Sequence, residues 1–218
     1  MKNVIIIGAS GMIGSIILRE CLASKDVSQV TSITRKSSGI SHPKLKEMNH
    51  SDFNDYSQIK ELFEEKDIAY YCLGVYTGAV PREEFRKITV DFTATFSREF
   101  AARNPQGTFC FLSGQGADIK EKSKMMFAQD KGIAENQLKS LKMGRLHIFR
   151  PAYIYPVEAR DEPNLSYRIM RWVYPLFKNI SSGFTIPSEQ LGKAMFRAGF
   201  HDVGMETLEN TDIKKITL

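Results

Sequence analysis

Residues 4–14 read Val4-Ile5-Ile6-Ile7-Gly8-Ala9-Ser10-Gly11-Met12-Ile13-Gly14. The first four residues form a continuous β-branched run, which is typical of a strand buried on both faces of a parallel sheet. A glycine turn follows the strand. The apolar spacing from Ile13 to Leu18 then predicts the inner face of a helix that runs to about residue 23.

The glycines of this stretch recur every three residues, at Gly8, Gly11 and Gly14. Strand, glycine turn and helix in this order form the phosphate-binding start of a dinucleotide-binding fold. We assign Gly8 to the tight turn, Gly11 to the approach of the backbone to a pyrophosphate, and Gly14 to close packing of helix on strand. Ser10, Met12 and Ile13 complete the predicted phosphate site. The spacing differs from the principal G-x-G-x-x-G fingerprint, so a purely structural role for the glycines stays open.

Composition places the chain among ordinary globular proteins. It has 218 residues, of which 42% are hydrophobic and 25% charged, so one domain with a large core is expected. The net charge of +5 permits an anionic ligand. Because the cations alternate with acids and no run of four Lys or Arg occurs, we expect no nucleic-acid partner.

Cysteine usage and the termini indicate a cytoplasmic setting. Cys21, Cys72 and Cys110 are odd in number and lie in apolar contexts, which favours reduced thiols over a disulfide framework. The start of the chain is a poor signal peptide, and no apolar run reaches the length of a transmembrane segment. The four histidines show no metal-ligand spacing, so no metal site is expected.

The end of the second predicted strand, residues 29–34, bears on cofactor choice. In such folds an acid at this place accepts from a free 2′-hydroxyl of the ribose, whereas Arg suits a 2′-phosphate. The chain has Arg35 and Lys36 there and no acid before Glu47. We therefore predict NADP(H) in preference to NAD(H), with the loop at residues 37–39 wrapping the same phosphate. The alternative is a pair of exposed cations at a strand end.

A third strand is predicted at residues 44–48, followed closely by Asp52 and Phe53. Asp52 is a candidate acceptor for the adenine amino group, and Phe53 a candidate to pack beside the ring. A helix near residues 56–65 offers Asp52 the alternative role of an N-cap.

Further strands are predicted at residues 68–74, 108–113 and 145–150, with helices at 83–103 and 122–141. Strands that alternate with helices predict an α/β fold with a doubly wound parallel sheet of six strands. Ligands of such sheets bind outside the carboxyl ends of the strands. Leu73, Gly74 and Val75, at the end of the fourth strand, are therefore expected to approach the cofactor.

The region after the sixth strand departs from this alternation. An aromatic helix around Trp172, residues 164–180, is compatible with packing on the domain, capping a substrate pocket, a homodimer or other partner interface, or a membrane surface. Ser188 is the predicted N-cap of a helix that runs to residue 200. We predict one NAD(P)-binding domain over residues 1–218, in which residues 151–218 form the smaller substrate or cap portion.

These motifs resemble the atypical and extended short-chain dehydrogenase/reductase superfamily along nearly the whole chain. The glycine turn matches its pattern, and Cys72-Leu73-Gly74 and Phe149-Arg150-Pro151 are similar to its fourth- and sixth-strand signatures. Residues 113–118 resemble the Tat-interacting-protein-like branch and NmrA-like proteins, often named nucleoside-diphosphate-sugar epimerases. The resemblance implies a Rossmann-type sheet with a small C-terminal helical cap, and cofactor contacts that include Lys131 and Pro151.

Enzymes of this superfamily use a Tyr-x-x-x-Lys pair in which the Lys holds the ribose and the Tyr transfers a proton. The matching positions here are Phe127 and Lys131, so the usual proton donor is missing. Ser113 is a candidate for the superfamily's catalytic serine, although the alignment of the motif puts Gly114 at the equivalent position.

Two functions remain open on the sequence alone. The favoured one is an NADP(H)-binding, redox-sensing module without standard catalysis, acting on an unidentified protein partner. The other is an NADPH-dependent reductase or epimerase-like enzyme, with an unidentified small-molecule substrate and a relocated proton donor. Tyr153 is the leading candidate donor, with Tyr76 and Tyr155 beside it, because all three follow the carboxyl ends of strands. No spacing typical of a hydrolase triad is present.

Overall fold

The computed structural model describes residues 1–157 and 183–217. Within them the central sheet has seven parallel strands in the order β3-β2-β1-β4-β5-β6-β9, and β7 pairs with β8 in a separate parallel ladder. In chain order the strands are β1 (Lys2–Ile7), β2 (Val27–Thr34), β3 (Leu45–Asn49), β4 (Ile68–Tyr71), β5 (Thr108–Leu112), β6 (Arg145–Arg150), β7 (Tyr153–Tyr155), β8 (Thr185–Pro187) and β9 (Thr207–Glu209).

Helices cover both faces of this sheet. They are α1 (Met12–Ala23), a 3₁₀ helix (Ser57–Phe63), α2 (Arg82–Arg86), a π segment (Lys87–Asp91), α3 (Phe92–Arg103), α4 (Met126–Ser140), α5 (Ser188–Phe200) and α6 (Asn210–Lys215). The strand order reverses between β1 and β4, so the predicted doubly wound parallel sheet is confirmed, and ligands of this class bind at that reversal.

The first strand divides the core into two layers. Val4 and Ile6 face α1 and α5, whereas Ile5 and Ile7 face an aromatic layer around Phe96. This alternation follows from the period of two along a strand. Because both faces are covered, β1 needs apolar residues at every position, which explains its continuous β-branched run.

Several elements differ from the sequence prediction. The seventh strand, β9, was not predicted, since it is three residues long and pairs with β6 only in the folded chain. The helix expected near residues 56–65 is a 3₁₀ helix, in which Ile59 has non-helical φ and ψ angles of −132° and 21°. The helix expected at 83–103 contains the π segment, which no hydrophobic periodicity marks.

The last long helix, α5, begins at Ser188, one residue earlier than an N-cap at Ser188 would require. Pro187 is the N-cap of α5, and the Ser188 hydroxyl instead accepts a hydrogen bond of 3.1 Å from the Val157 amide. The predicted aromatic helix around Trp172 lies outside the described residues. Among the helices that are described, none is long and apolar enough to cross a bilayer.

Candidate functional site

The glycine turn between β1 and α1 is shaped by backbone contacts. Gly8 has φ +81°, and a Cβ atom there would lie 2.6 Å from the Cys72 carbonyl carbon. A Cβ atom on Gly14 would lie 2.1 Å from the Gly8 carbonyl oxygen, while the Gly11 amide donates to that oxygen at 3.0 Å. Gly8 and Gly14 thus permit strand, turn and helix to touch.

This turn leads directly into α1, whose N-cap is Gly11. The first N–H groups of a helix have no partner within the helix, and they attract anions. Gly11 is exposed, and the neighbouring Ser10 side chain is exposed as well. The geometry therefore suits the backbone cradle for a pyrophosphate that the sequence predicts.

A cleft on one side of the turn has a volume of about 450 Å³ and is named here the β2-side cleft. It is lined by Gly8, Ser10, Ile33, Thr34, Arg35, Lys36, Ser37, Phe53 and Leu73. None of these lining residues is acidic, and Arg35 and Lys36 are exposed. The cleft combines a basic rim with an apolar floor, which suits a phosphorylated ribose and an aromatic base.

Phe53 and Asp52 differ in their relation to this cleft. The Phe53 ring is buried and meets Phe92 edge to face at 5.6 Å between centroids, yet it also forms part of the cleft wall. Asp52 does not line the cleft. Its carboxylate accepts from the Asn54 amide at 3.0 Å, and it is Asp55 that accepts from the Ser57 amide at the start of the 3₁₀ helix. The alternative that Asp52 caps this helix is therefore wrong.

A second cleft, the β5-side cleft, has a volume of about 300 Å³. Its wall brings together most of the predicted site residues from six separate stretches of chain. They are Gly11, Met12, Ile13, Cys72, Leu73, Gly74, Val75, Tyr76, Thr77, Leu112, Ser113, Gly114, Phe127, Lys131, Pro151, Ala152, Tyr153 and Ile154. Leu73 lines both clefts, and the glycine turn lies between them, so one extended ligand can span the pair.

Lys131 extends from α4 into the β5-side cleft and is 9% exposed. Its ammonium donates to the Leu112 carbonyl at 3.0 Å and lies 4.9 Å from the centre of the Phe111 ring. Burial lowers the pKa of Lys131 to about 8, although the charge of Glu135 partly opposes that shift. The amine therefore carries a proton at neutral pH at a cost in desolvation.

Ser113 belongs to a buried charge cluster that the sequence did not predict. Its hydroxyl donates to Glu135 at 2.5 Å, and Glu135 is paired with Arg150, which also donates to Glu209 at 3.0 Å. Glu135 follows Lys131 by four residues, one turn along the same helix. In the sequence, only that spacing and Arg150 of the sixth-strand motif pointed to this cluster. The contacts of Glu135 with Ser113 and Arg150 could not be predicted, because they form only when β5, β6 and α4 are packed together.

Phe127 fills space that a side chain at position 114 would occupy. A Cβ atom on Gly114 would lie 2.4 Å from Cζ of the Phe127 ring, which is the ring atom that bears the hydroxyl in tyrosine. The two positions to which the resemblance assigns the superfamily's Tyr and, by the motif alignment, its Ser thus lie against each other here. Neither has a hydroxyl group.

The described residues include no group of three or more His, Cys, Asp or Glu side chains that could hold a metal ion. Burial raises the pKa of the Cys72 thiol to about 12, so this thiol in the β5-side cleft is protonated at neutral pH. Tyr76 and Tyr153 line the same cleft, whereas Tyr155 does not.

Comparisons with known proteins agree with this fold. The rat (Rattus norvegicus) protein HTATIP2 is 28% identical over 216 residues, which cover 97% of this chain and 88% of that protein. The protein fmp52, mitochondrial, of Emericella nidulans is 27% identical over 210 residues, which cover 91% of this chain and 88% of that protein. The Bordetella bronchiseptica enzyme WbmH, solved in complex with NAD⁺, is 18% identical. It matches 96% of this chain and 75% of its own, with a TM-score of 0.71, which shows a common fold.

A sequence model of one family matches residues 4–117, which is more than half of the 218 residues. The matched segment includes the glycine turn, β4 and the Ser113-Gly114 pair at the end of β5. The description of this family names NAD, the nucleotide that is bound in the WbmH structure. The chain belongs to the NAD dependent epimerase/dehydratase family.

Proposed function

We propose that this protein binds NADP(H) across the two clefts and performs no standard short-chain dehydrogenase catalysis. In this proposal the adenosine half lies in the β2-side cleft, the pyrophosphate at the glycine turn, and the nicotinamide half in the β5-side cleft. The observation that carries the proposal is the contact between Phe127 and Gly114. The proposal is supported by the predicted dinucleotide-binding residues that line the two clefts and by the lack of a hydroxyl group on both Phe127 and Gly114.

The lack of these hydroxyl groups matters because hydride transfer to a carbonyl leaves an alkoxide that must receive a proton. A phenyl ring has no ionisable hydrogen, and glycine offers no hydroxyl to polarise the carbonyl. Ser113 is held by the buried Glu135 carboxylate, an interaction that supports a structural role for this hydroxyl. Lys131 occupies the position that the resemblance assigns to the ribose-binding lysine, and it lines the β5-side cleft. The remaining chemistry is binding, which suits a sensor of the redox state of the nucleotide.

The preference for NADP(H) rests on charge at the β2-side cleft. Arg35 and Lys36 supply two cations at its rim. The lining residues include no acid that could accept a hydrogen bond from the free ribose 2′-hydroxyl of NAD(H). An arginine guanidinium binds a phosphate through two parallel hydrogen bonds, which a neutral hydroxyl cannot match. NADPH is therefore expected to bind more tightly than NADH.

Titration with NADPH and NADH, followed by nicotinamide fluorescence and melting temperature, tests both parts. We expect Arg35→Ala to weaken NADPH binding by about tenfold, as loss of a charged hydrogen bond does, and to leave NADH binding nearly unchanged. Arg98→Ala, which removes an exposed cation of α3, is the matched control. Equal binding of the two nucleotides by the wild type would contradict the preference, and no binding would contradict the proposal as a whole.

A second candidate, an NADPH-dependent reductase or epimerase-like enzyme, is supported by one observation. Tyr76 and Tyr153 line the same cleft as Lys131, so a phenol is available near the proposed nicotinamide position. Consumption of NADPH with a panel of aldehydes, ketones and quinones, abolished by Tyr153→Phe or Tyr76→Phe, would favour this enzyme over the binding module.

A further inference from the structure

The loop after β2 forms the basic rim of the β2-side cleft. Arg35, Lys36 and Ser37 all contribute to the cleft wall. The Thr34 hydroxyl donates to the Lys36 carbonyl at 2.7 Å, which turns the chain at the end of the strand. Residues 37–39 of the loop are exposed. Their conformation therefore depends on the hydrogen bonds that Ser37 and Ser38 make.

One carboxylate, from the neighbouring strand β3, holds this loop. Glu47 pairs in register with Ser32 of β2, so its side chain starts beside the strand that the loop leaves. Glu47 Oε2 accepts from the Ser37 hydroxyl at 2.8 Å and from the Ser38 amide at 3.1 Å. Oε1 accepts from the same Ser38 amide at 3.3 Å. The Ser37 hydroxyl oxygen also accepts from the Gly39 amide at 3.2 Å, so the contact organises three consecutive residues.

The hydrogen bonds from Ser37 and Ser38 stabilise the charged form of Glu47. Partial burial of the carboxyl acts to raise its pKa, but hydrogen bonds from Ser38 and Ser37 outweigh burial and lower it. Glu47 is therefore a carboxylate at neutral pH, and a charged acceptor makes the stronger kind of hydrogen bond. It is also the first acid after the end of β2 and does not line the cleft.

We propose that Glu47 is the positioning residue for NADP(H) selection. It fastens the loop at residues 37–39 so that Arg35 and Lys36 are held at the rim where the ribose 2′-phosphate binds. An acid thus promotes binding of an anion through the loop that it organises, without touching the ligand. This inference rests on the proposed binding of NADP(H) in the β2-side cleft.

Calorimetric titration with NADPH, NADH, 2′,5′-ADP and 5′-ADP tests the role of Glu47. We expect Glu47→Ala to weaken NADPH and 2′,5′-ADP by about tenfold, since it removes the acceptor of the loop donors, and NADH and 5′-ADP by less than about twofold. Glu47→Gln keeps one acceptor oxygen and should fall between the wild type and the alanine variant. Glu61→Ala, which removes an exposed acid of the 3₁₀ helix, should change nothing.

A double-mutant cycle with Ser37→Ala separates positioning from long-range charge. If Glu47 acts through the loop, the two substitutions will not be additive, because either one breaks the same contact. Tighter NADPH binding by both Glu47→Ala and Glu47→Gln would overturn the inference, since it would mean that the carboxylate mainly repels the phosphate. Unchanged selectivity in Glu47→Ala would overturn it too.

The proposed function fails in a different way. A wild-type protein that does not prefer NADPH refutes NADP(H) selection itself, and the role of Glu47 with it. A wild-type protein that prefers NADPH, combined with a Glu47→Ala variant that keeps the full preference, refutes only the role of Glu47.

Discussion

At the residue scale, close approach of the backbone requires glycine at positions 8 and 14, and the positive φ of Gly8 adds a conformational requirement there. The backbone of Cys72 and Leu73, directly after β4, lies against Gly8, and the Gly8 carbonyl oxygen lies against Gly14. A methyl group at either place would meet backbone atoms, which cannot rotate away as a side-chain tip can. Gly8 and Gly14 are thus required by packing as well as by the proposed phosphate site.

Gly14→Ala tests this constraint directly. Its new Cβ atom would lie 2.1 Å from the Gly8 carbonyl oxygen, so α1 must move away from the turn. We expect a loss of about 1–3 kcal/mol in the free energy of unfolding, as for other overpacked sites. Denaturant unfolding measures this loss.

Gly74→Ala is the matched control. No atom lies within 4 Å of a Cβ atom built on Gly74, so its stability should change by less than about 0.5 kcal/mol. Equal stability of the two variants would contradict the packing argument.

At the element scale, a buried ion cluster joins α4, β6 and β9. Glu135 of α4 is fully buried and receives two hydrogen bonds from Arg150 of β6. Arg150 also pairs with Glu209 of β9, whose side chain is 45% exposed. The cluster thereby attaches the unpredicted seventh strand to the sheet beside the β5-side cleft, and it holds Ser113 at the cleft wall.

Arg150→Met should be strongly destabilising. It removes the only cation that the described structure pairs with Glu135 and leaves a buried carboxylate, a change that costs about 3–5 kcal/mol. Glu209→Gln, which alters the exposed end of the cluster, should cost less than about 1 kcal/mol. Urea unfolding of the two variants distinguishes these values. A small loss for Arg150→Met would mean that Glu135 is neutral or solvated.

At the scale of the whole molecule, the buried Lys131 makes stability depend on pH. Burial lowers its pKa from 10.5 to about 8 in the folded chain, so the unfolded chain binds more protons between these values. Stability due to this group therefore rises with pH across that window. The free-energy cost of burying the charged Lys131 ammonium is fully present below pH 8 and is lost above about pH 10.5.

Lys131→Met should abolish this dependence. We expect the variant to be more stable than the wild type at pH 7, by about 3 kcal/mol at most, and the difference to shrink as pH approaches 10.5. Melting temperatures from pH 7 to 10.5 provide the measurement. Lys124→Met, which removes an exposed lysine, should leave the pH profile of the wild type unchanged. Parallel profiles for Lys131→Met and the wild type would contradict the argument.

The amino-acid sequence alone predicts the doubly wound parallel sheet, which the structure confirms, and it predicts where the dinucleotide binds. Both depend on local signals, since a strand buried on two faces needs the continuous apolar run of residues 4–7, and a tight strand-to-helix turn needs Gly8 and Gly14. The absence of a hydroxyl at position 127 is likewise plain from the sequence. Cofactor preference and catalytic roles stay predictions that the experiments above address.

Which side chains meet across these elements is known only from the folded chain. The contact of Phe127 with Gly114, the attachment of Ser37 to Glu47, and the pairing of Arg150 with Glu135 each join residues from different elements. The strand β9 exists as a strand because β6 offers it a free edge. Periodicity reports the environment of each residue along its own helix or strand, whereas a contact also depends on how two elements are placed, which is a property of the assembled core.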